Sequence, residues 1–185
     1  MIDDWRQQVM DEIDDALRGS YNDDVGVVDW WMRPHPRLGT VEVRICDSVT
    51  NLEDAVAIAA YVQALAKFLS ERFDAGEEIK TYHRILTTEN KWLAGRYGLE
   101  APVMDLATGR RNRITIAQLV RRTLKELEPH ARELGSEAEL DGIRQILSRG
   151  NGAARQLRTF NTNKDIVEVV HDIADATEIR ERVPA

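Results

Sequence analysis

The chain is short of the residues that staple or chelate: among 185 residues it has one cysteine, Cys46, and four histidines. A lone cysteine excludes an internal disulfide and a cysteine-rich zinc site, and points to a reducing, cytoplasmic setting. Placed on a strand, Cys46 is expected as a small packed side chain rather than a nucleophile. His83, His130 and His171 lack the paired spacing of a metal motif and read as surface residues, while His35 sits between Pro34 and Pro36. No apolar run approaches the ~20 residues that span a bilayer. Met1 leads into Ile2-Asp3-Asp4-Trp5, which does not read as a signal peptide. Positive charge is also scarce: a net charge of -7 and a pI near 5.2 argue against general nucleic-acid binding. The basic stretch Arg110, Arg111, Arg113, Arg121, Arg122 and Lys125 reads as a solvated helix face, with a nucleic-acid contact as the weaker alternative. There is no glycine-rich phosphate loop, nucleophile elbow or internal repeat, so a phosphate site would have to be built differently. A hydrophobic content of 43% suits one domain over residues 1–185.

What the chain does have is a dense charged segment from Arg33 to Asp47. Val27 to Arg33 is a strand candidate, Pro34 to Gly39 a connection that cannot be helical, and Thr40 to Cys46 a second strand, giving an antiparallel hairpin. Alternation sends Val41, Val43 and Ile45 to one face and Glu42, Arg44 and Cys46 to the other. Glu42 and Arg44 then stand about 6 to 7 Å apart. Arg33 and Arg37 can converge beside them, because the prolines stiffen the connection and Gly39 relieves its steric limits. An acid able to hold a hard cation, next to guanidinium groups able to grip phosphate or carboxylate, suits phosphoryl transfer. The alternative is a surface ion pair on a two-sided strand. Asp47 reads equally as turn former and as support for the site.

The rest is mostly helical. Ile2, Trp5, Val9, Ile13 and Ala16 or Leu17 mark an amphipathic helix with Gly19 just past its end. Thr50 to Glu53 matches a capping box before a helix from Leu52 to Leu69, too apolar for an ordinary surface element and expected to pack on the sheet without functional residues of its own. Glu89 to Tyr97 is a helix ended by Gly98. Val103 to Leu106 and Arg110 to Ile114 form a small hairpin. Thr115 to Gln118 and Ser136 to Glu139 cap two more helices with Pro129 interrupting between them. Gly150 to Ala153 is a helix stop and restart whose amides suit an anion, Asp165 caps the last helix, and the tail from Arg180 frays. Asn90, Lys91 and Arg96, and also Arg155 and Gln156, are candidate nucleotide or substrate contacts; the alternative is a polar helix face. The expected class is α+β, with short antiparallel hairpins packed on a predominantly helical layer.

The run from Trp30 to Asp47, followed by an alanine-rich helix, resembles the type-2 glutamate-cysteine ligase family of carboxylate-amine ligases. The resemblance continues through Glu89-Asn90-Lys91-Trp92, Arg96-Tyr97-Gly98-Leu99, Asp105 to Gly109 and Gly150-Asn151-Gly152-Ala153, and so covers the chain from about Trp30 onward as a C-terminal half of that family. It implies part of a glutamine-synthetase-like fold and a cytoplasmic enzyme. It further implies ATP and Mg2+, transfer of the terminal phosphoryl group to a carboxylate such as that of glutamate, and displacement of phosphate by cysteine or another amine. Carried over by position, Glu42 is similar to the strand carboxylate that ligates magnesium and Arg44 to the arginine facing the reacting group. Arg33 and Arg37 are the weaker catalytic carry-overs, and Asn90, Arg96 and Arg155 the cofactor-side ones. The family's Glu-rich first strand and His-containing strand are not found here, which implies a truncated or split ligase whose missing strands come from self-association or a partner chain. The rival expectation is a noncatalytic remnant or interaction module.

Overall fold

The computed structural model describes residues 32–35, 39–78, 80, 82–108 and 112–177. It divides into two compact units, Met1–Ser48 and Val49–Ala185. The expected N-terminal helix, the stretch from Val27 to Trp31, Arg37 and the tail from Arg180 lie outside the described residues.

The first unit contributes a two-stranded antiparallel ribbon, β1 (Met32–His35) and β2 (Thr40–Val43), approached through Gly39 at φ 63°. Pro34 and His35 are therefore part of a strand and not of the connection, a place where proline is tolerated because an edge strand need not donate from both sides. β2 stops at Val43, short of the expected Cys46, since its register Met32↔Val43 to His35↔Thr40 leaves residues 44–46 without a paired strand among the described residues. Cys46 is exposed, contrary to the expectation of packing. Val41 and Ile45, assigned to one face by alternation, are 58% and 52% exposed.

The second unit is a helical assembly with one small sheet. Its longest helix, α1 (Leu52–Asp74), is capped by Asn51, which accepts from the Asp54 amide at 2.8 Å. The expected cap at Thr50 is thus displaced by one residue: the Asn51 side chain reaches the amide three residues on, while Thr50 Oγ1 accepts from Arg155. Ala57, Ala60 and Ala64 form the buried stripe of α1 and pack on α3 (Ile116–Leu134) and α4 (Glu137–Arg149) through Leu124, Leu127, Ala131, Leu140 and Ile143. Small residues make this crossing close: a Cβ added to Gly142 would come within 2.8 Å of the Ala57 Cβ.

A second cluster joins α2 (Arg84–Tyr97) to β3 (Pro102–Met104), paired antiparallel with β4 (Arg113–Thr115), through Leu93, Ala101 and Val103 backed by Ile114, Ile116 and Leu119. α2 begins five residues before the expected Glu89, because His83 caps it by accepting from the Ile85 amide. The Thr115–Gln118 capping box forms with both reciprocal bonds, at 3.1 and 2.9 Å. Pro129 lies inside α3 and does not interrupt it: burial of Leu124, Leu127 and Ala131 on one face carries the helix past a residue that costs about 3 kcal/mol in an interior. α3 closes at Gly135, φ 71°, where the amides of Gly135 and Ser136 return to Arg132 and Ala131. Ser136 occupies the expected cap position of α4 without a side-chain capping bond.

Gly150 ends α4 and Asn151 caps α5 (Gly152–Asn163), as the stop-and-restart pattern predicts. Asp165 accepts from the Val167 amide at 2.9 Å at the start of α6 (Ile166–Thr177). The chain is α+β, with helices predominating.

Candidate functional site

On the ribbon, Glu42 and Arg44 project to the same side, with Arg44 Nε 3.6 Å from Glu42 Oε1 and both side chains partly exposed. Position 33 lies directly opposite Glu42 in the strand register, so the backbone brings three of the charged positions together. The side chain of Arg33, like all of Arg37, falls outside the described residues. At 3.6 Å the acid and the guanidinium attract without a tight hydrogen bond, and a guanidinium has five donors, so Arg44 keeps donors for a ligand. Asp47 accepts from the Ser48 amide at 2.8 Å, a local turn contact. A hard divalent ion commonly takes one or two protein carboxylates and fills its shell with phosphate oxygens and water. Glu42 fits as one such ligand but not as a cage, and no group of three or more metal-binding side chains occurs among the described residues.

The cofactor-side candidates belong to the helical unit. Asn90 spends its amide on Met104, donating to the carbonyl at 2.9 Å and accepting from the amide at 2.8 Å, so that α2 continues the β3 ladder with a side chain. Arg96 is exposed and lies over the Tyr97 ring, 5.9 Å from its centroid, beside an edge-on Trp92. Arg155 donates to Asp54 Oδ2 at 3.1 Å, to the Gly150 carbonyl at 3.2 Å and to Thr50 Oγ1 at 3.0 Å. Burial and the neighbouring Arg84 push the Lys91 ammonium below its usual range.

Two buried carboxylates were not legible as centres. Asp54, 3% exposed, receives Arg149 on Oδ1 and Arg155 on Oδ2. Asp105, 5% exposed, is gripped on both oxygens by Arg122 at 2.7 and 2.9 Å, and that guanidinium holds its carboxyl below the usual range. Asp54 sits in a first helical turn, where an acid reads as a dipole partner, and its arginines lie 95 and 101 residues away, beyond any periodic signal. Arg122, placed in the sequence on a solvated basic face, spends its charge on Asp105.

These contacts draw the separate motifs together. Residues 89–92 meet 104–105 through Asn90, and Gly98 approaches the 150–153 turn so closely that an added Cβ would lie 3.2 Å from Asn151 Nδ2. Among the described residues, two grooves lie elsewhere: one of about 400 Å3 is lined by Val56, Ala59, Ala60, Gln63, Ser136 and Glu139. The other, about 360 Å3, is lined by Arg121, Leu124, Lys125, Arg144, Leu147 and Ser148.

The first unit thus offers an acid and an arginine on one side of an antiparallel ribbon, and the second unit brings its separate charged motifs into contact. The chain belongs to glutamate-cysteine ligase family 2 (GCS2), whose family model matches residues 1–176. That match extends upstream of Trp30 to include the N-terminal stretch.

Similar proteins include one from Gloeobacter violaceus provisionally named glutamate–cysteine ligase 2, 41% identical over 145 residues, covering 78% of this chain and 38% of that protein. A Solibacter usitatus protein of the same provisional name is 40% identical over 157 residues, 84% of this chain and 40% of its own length. One from Herpetosiphon aurantiacus is 38% identical over 162 residues, 87% and 42% respectively. The chain thus spans about two-fifths of the length of the curated relatives it matches. Among the described residues no helix is long and apolar enough to cross a membrane.

Proposed function

We propose that this chain forms part of an ATP-dependent carboxylate-amine ligase of the glutamate-cysteine type, working in the cytoplasm. The observation that carries the reading is the shared side of Glu42 and Arg44, 3.6 Å apart, in a member of this family. Glu42 would supply one oxygen ligand to Mg2+, and Arg44, supported by Arg33 and Arg37, would hold the carboxylate or phosphoryl group. Bound magnesium neutralises charge on the ATP phosphates. The planar fork of Arg44 binds two oxygens at once, keeps the acid substrate in line for attack on the terminal phosphorus, and stabilises charge on the transferred group. Attack by the carboxylate breaks the bond from the terminal phosphorus to the bridging oxygen and releases ADP; the acyl phosphate so formed is open to attack by the amine of cysteine or another amino compound, which forms the amide and expels phosphate. Asn90, Arg96 and Arg155 are proposed on the nucleotide side: Asn90 and Arg155 by fixing backbone, through Met104 and Gly150, and Arg96 by direct contact. The strands that complete the site are proposed to come from polypeptide beyond these residues, consistent with the two-fifths span.

The test is phosphate release from ATP with glutamate and cysteine, using this chain joined to or mixed with a strand-bearing half from a relative. Activity is expected, with Glu42→Gln and Arg44→Lys each lowering kcat by at least about tenfold, roughly 1.4 kcal/mol of barrier. Unchanged turnover in both variants removes the two residues from the chemistry. A second reading, a noncatalytic interaction module, draws on the partial exposure of the Glu42–Arg44 pair. Calorimetric titration with magnesium-ATP separates the two, because a module would give no heat with the same assembled sample.

A further inference from the structure

The helices α5 and α6 pack on one another and leave unusual apolar surface open. Leu157, Ile166, Val167 and Val170 are 61%, 64%, 52% and 57% exposed, whereas Val169 is buried. The helical period explains why one partner is not enough. At about 100° per residue, Val169 and Ile173 of α6 lie on one side of an apolar arc, and Ile166, Val170 and Val167 on the other, so the arc is roughly twice as wide as a single neighbouring helix covers. On α5, Ala153, Leu157 and Phe160 form a second stripe with 3–4 spacing, of which Leu157 and Phe160 stay exposed.

Charge on the two helices is sorted by sign. α5 and its cap residue carry Arg155, Arg158 and Lys164 and no acid, whereas α6 carries Glu168, Asp172 and Asp175 and no lysine or arginine. Neither Arg158 nor Lys164 meets a carboxylate among the described residues; Arg158 donates to the Arg149 carbonyl and Lys164 to Asn161. Asp172 is taken by Thr159 across the hairpin at 2.5 Å. A basic helix joined to an acidic one is self-complementary under a two-fold rotation, which sets α5 of one copy against α6 of the other; pairing α5 with α5 or α6 with α6 would oppose like charges.

We propose that the α5–α6 hairpin is a homodimerisation surface, on which a second copy of this chain docks its own hairpin to build an intermolecular four-helix bundle. The bundle core would be Leu157, Phe160, Ile166, Val167 and Val170 of both copies, with the sorted charges fixing partner and orientation. This proposal does not depend on the ligase reading.

Sedimentation velocity of the full chain at increasing concentration tests it. A species of twice the chain mass is expected, and Val170→Glu should return it to the monomer while the helical circular dichroism stays unchanged. Charge swapping provides a second route if that variant misfolds. Glu168→Lys with Asp175→Lys, which makes both helices basic, should weaken self-association at least tenfold. Mixing it with an Arg158→Glu, Lys164→Glu variant should restore a heterodimer. A wild-type chain that remains monomeric throughout overturns the proposal, as does a dimer that Val170→Glu and both charge variants leave intact, which would place the contact on the β1–β2 ribbon or another face.

Discussion

Asp54 is buried in the first turn of α1, and its oxygens are taken by Arg149 and Arg155. Asparagine would keep the size and one acceptor but leave two guanidinium groups without their counter-charge. Because both arginines are partly solvated, the expected loss is about 2 kcal/mol, below that of a fully enclosed pair. Asp54→Asn should therefore lower the urea midpoint without changing the slope, and combining it with Arg155→Gln should cost less than the sum of the two. Asp105 gives a pH signature. The Arg122 guanidinium depresses its carboxyl, so its stabilisation is complete above the unfolded-state pKa of about 3.9 and fades as pH falls through the lower folded value. Asp105→Asn should be less stable than the parent at neutral pH, and the two denaturation curves should converge in acid. Neither carboxylate's ion pair could be singled out in sequence, whereas Thr115 and Gln118 could, because a capping box lies within four consecutive residues while these pairs join positions 17, 95 and 101 residues apart.

At the scale of elements, the α1–α4 crossing depends on the absence of a side chain at Gly142. Alanine there gains about 1 kcal/mol of helix propensity but puts a methyl 2.8 Å from Ala57, and overpacking of that kind costs about 1–3 kcal/mol. Gly142→Ala is expected to lower the melting temperature, with Ala57→Gly recovering part of the loss in the double variant. Small residues at helical spacing in α1 leave room for a neighbouring backbone, but the partners they meet are α3 and α4, where the sequence led to an expectation of the sheet. Pro129 shows the opposite case. Its local preference argued for a break, and the buried stripe through Leu124, Leu127 and Ala131 overrode it. The ribbon was legible as a hairpin, but its ends were not, because where β2 stops depends on how far its partner extends and not on its own alternation.

At the scale of the molecule, the two hydrophobic clusters found among the described residues draw all their residues from the unit that begins at Val49. A two-stranded ribbon by itself is marginal in water. A fragment starting at Val49 should consequently fold alone, with cooperative thermal unfolding and the helical circular dichroism of the matching part of the chain. Loss of cooperativity on that truncation would show that the helical unit draws stability from residues 1–48. Within the helical unit the family motifs at 89–92, 96–99 and 150–153 share one framework, joined through Asn90, Gly98 and Asn151. Sequence order hid this convergence, since it is a property of the tertiary path.

The link from Asp54 to Arg149 and Arg155 also orders events while the polypeptide is being made. The acid emerges from the ribosome about a hundred residues ahead of the bases that neutralise it, so an early collapse of α1 would trap a bare anion in an oily environment. Full burial of the acid is therefore matched in charge only once residues 149–155 have been made and have docked on α1.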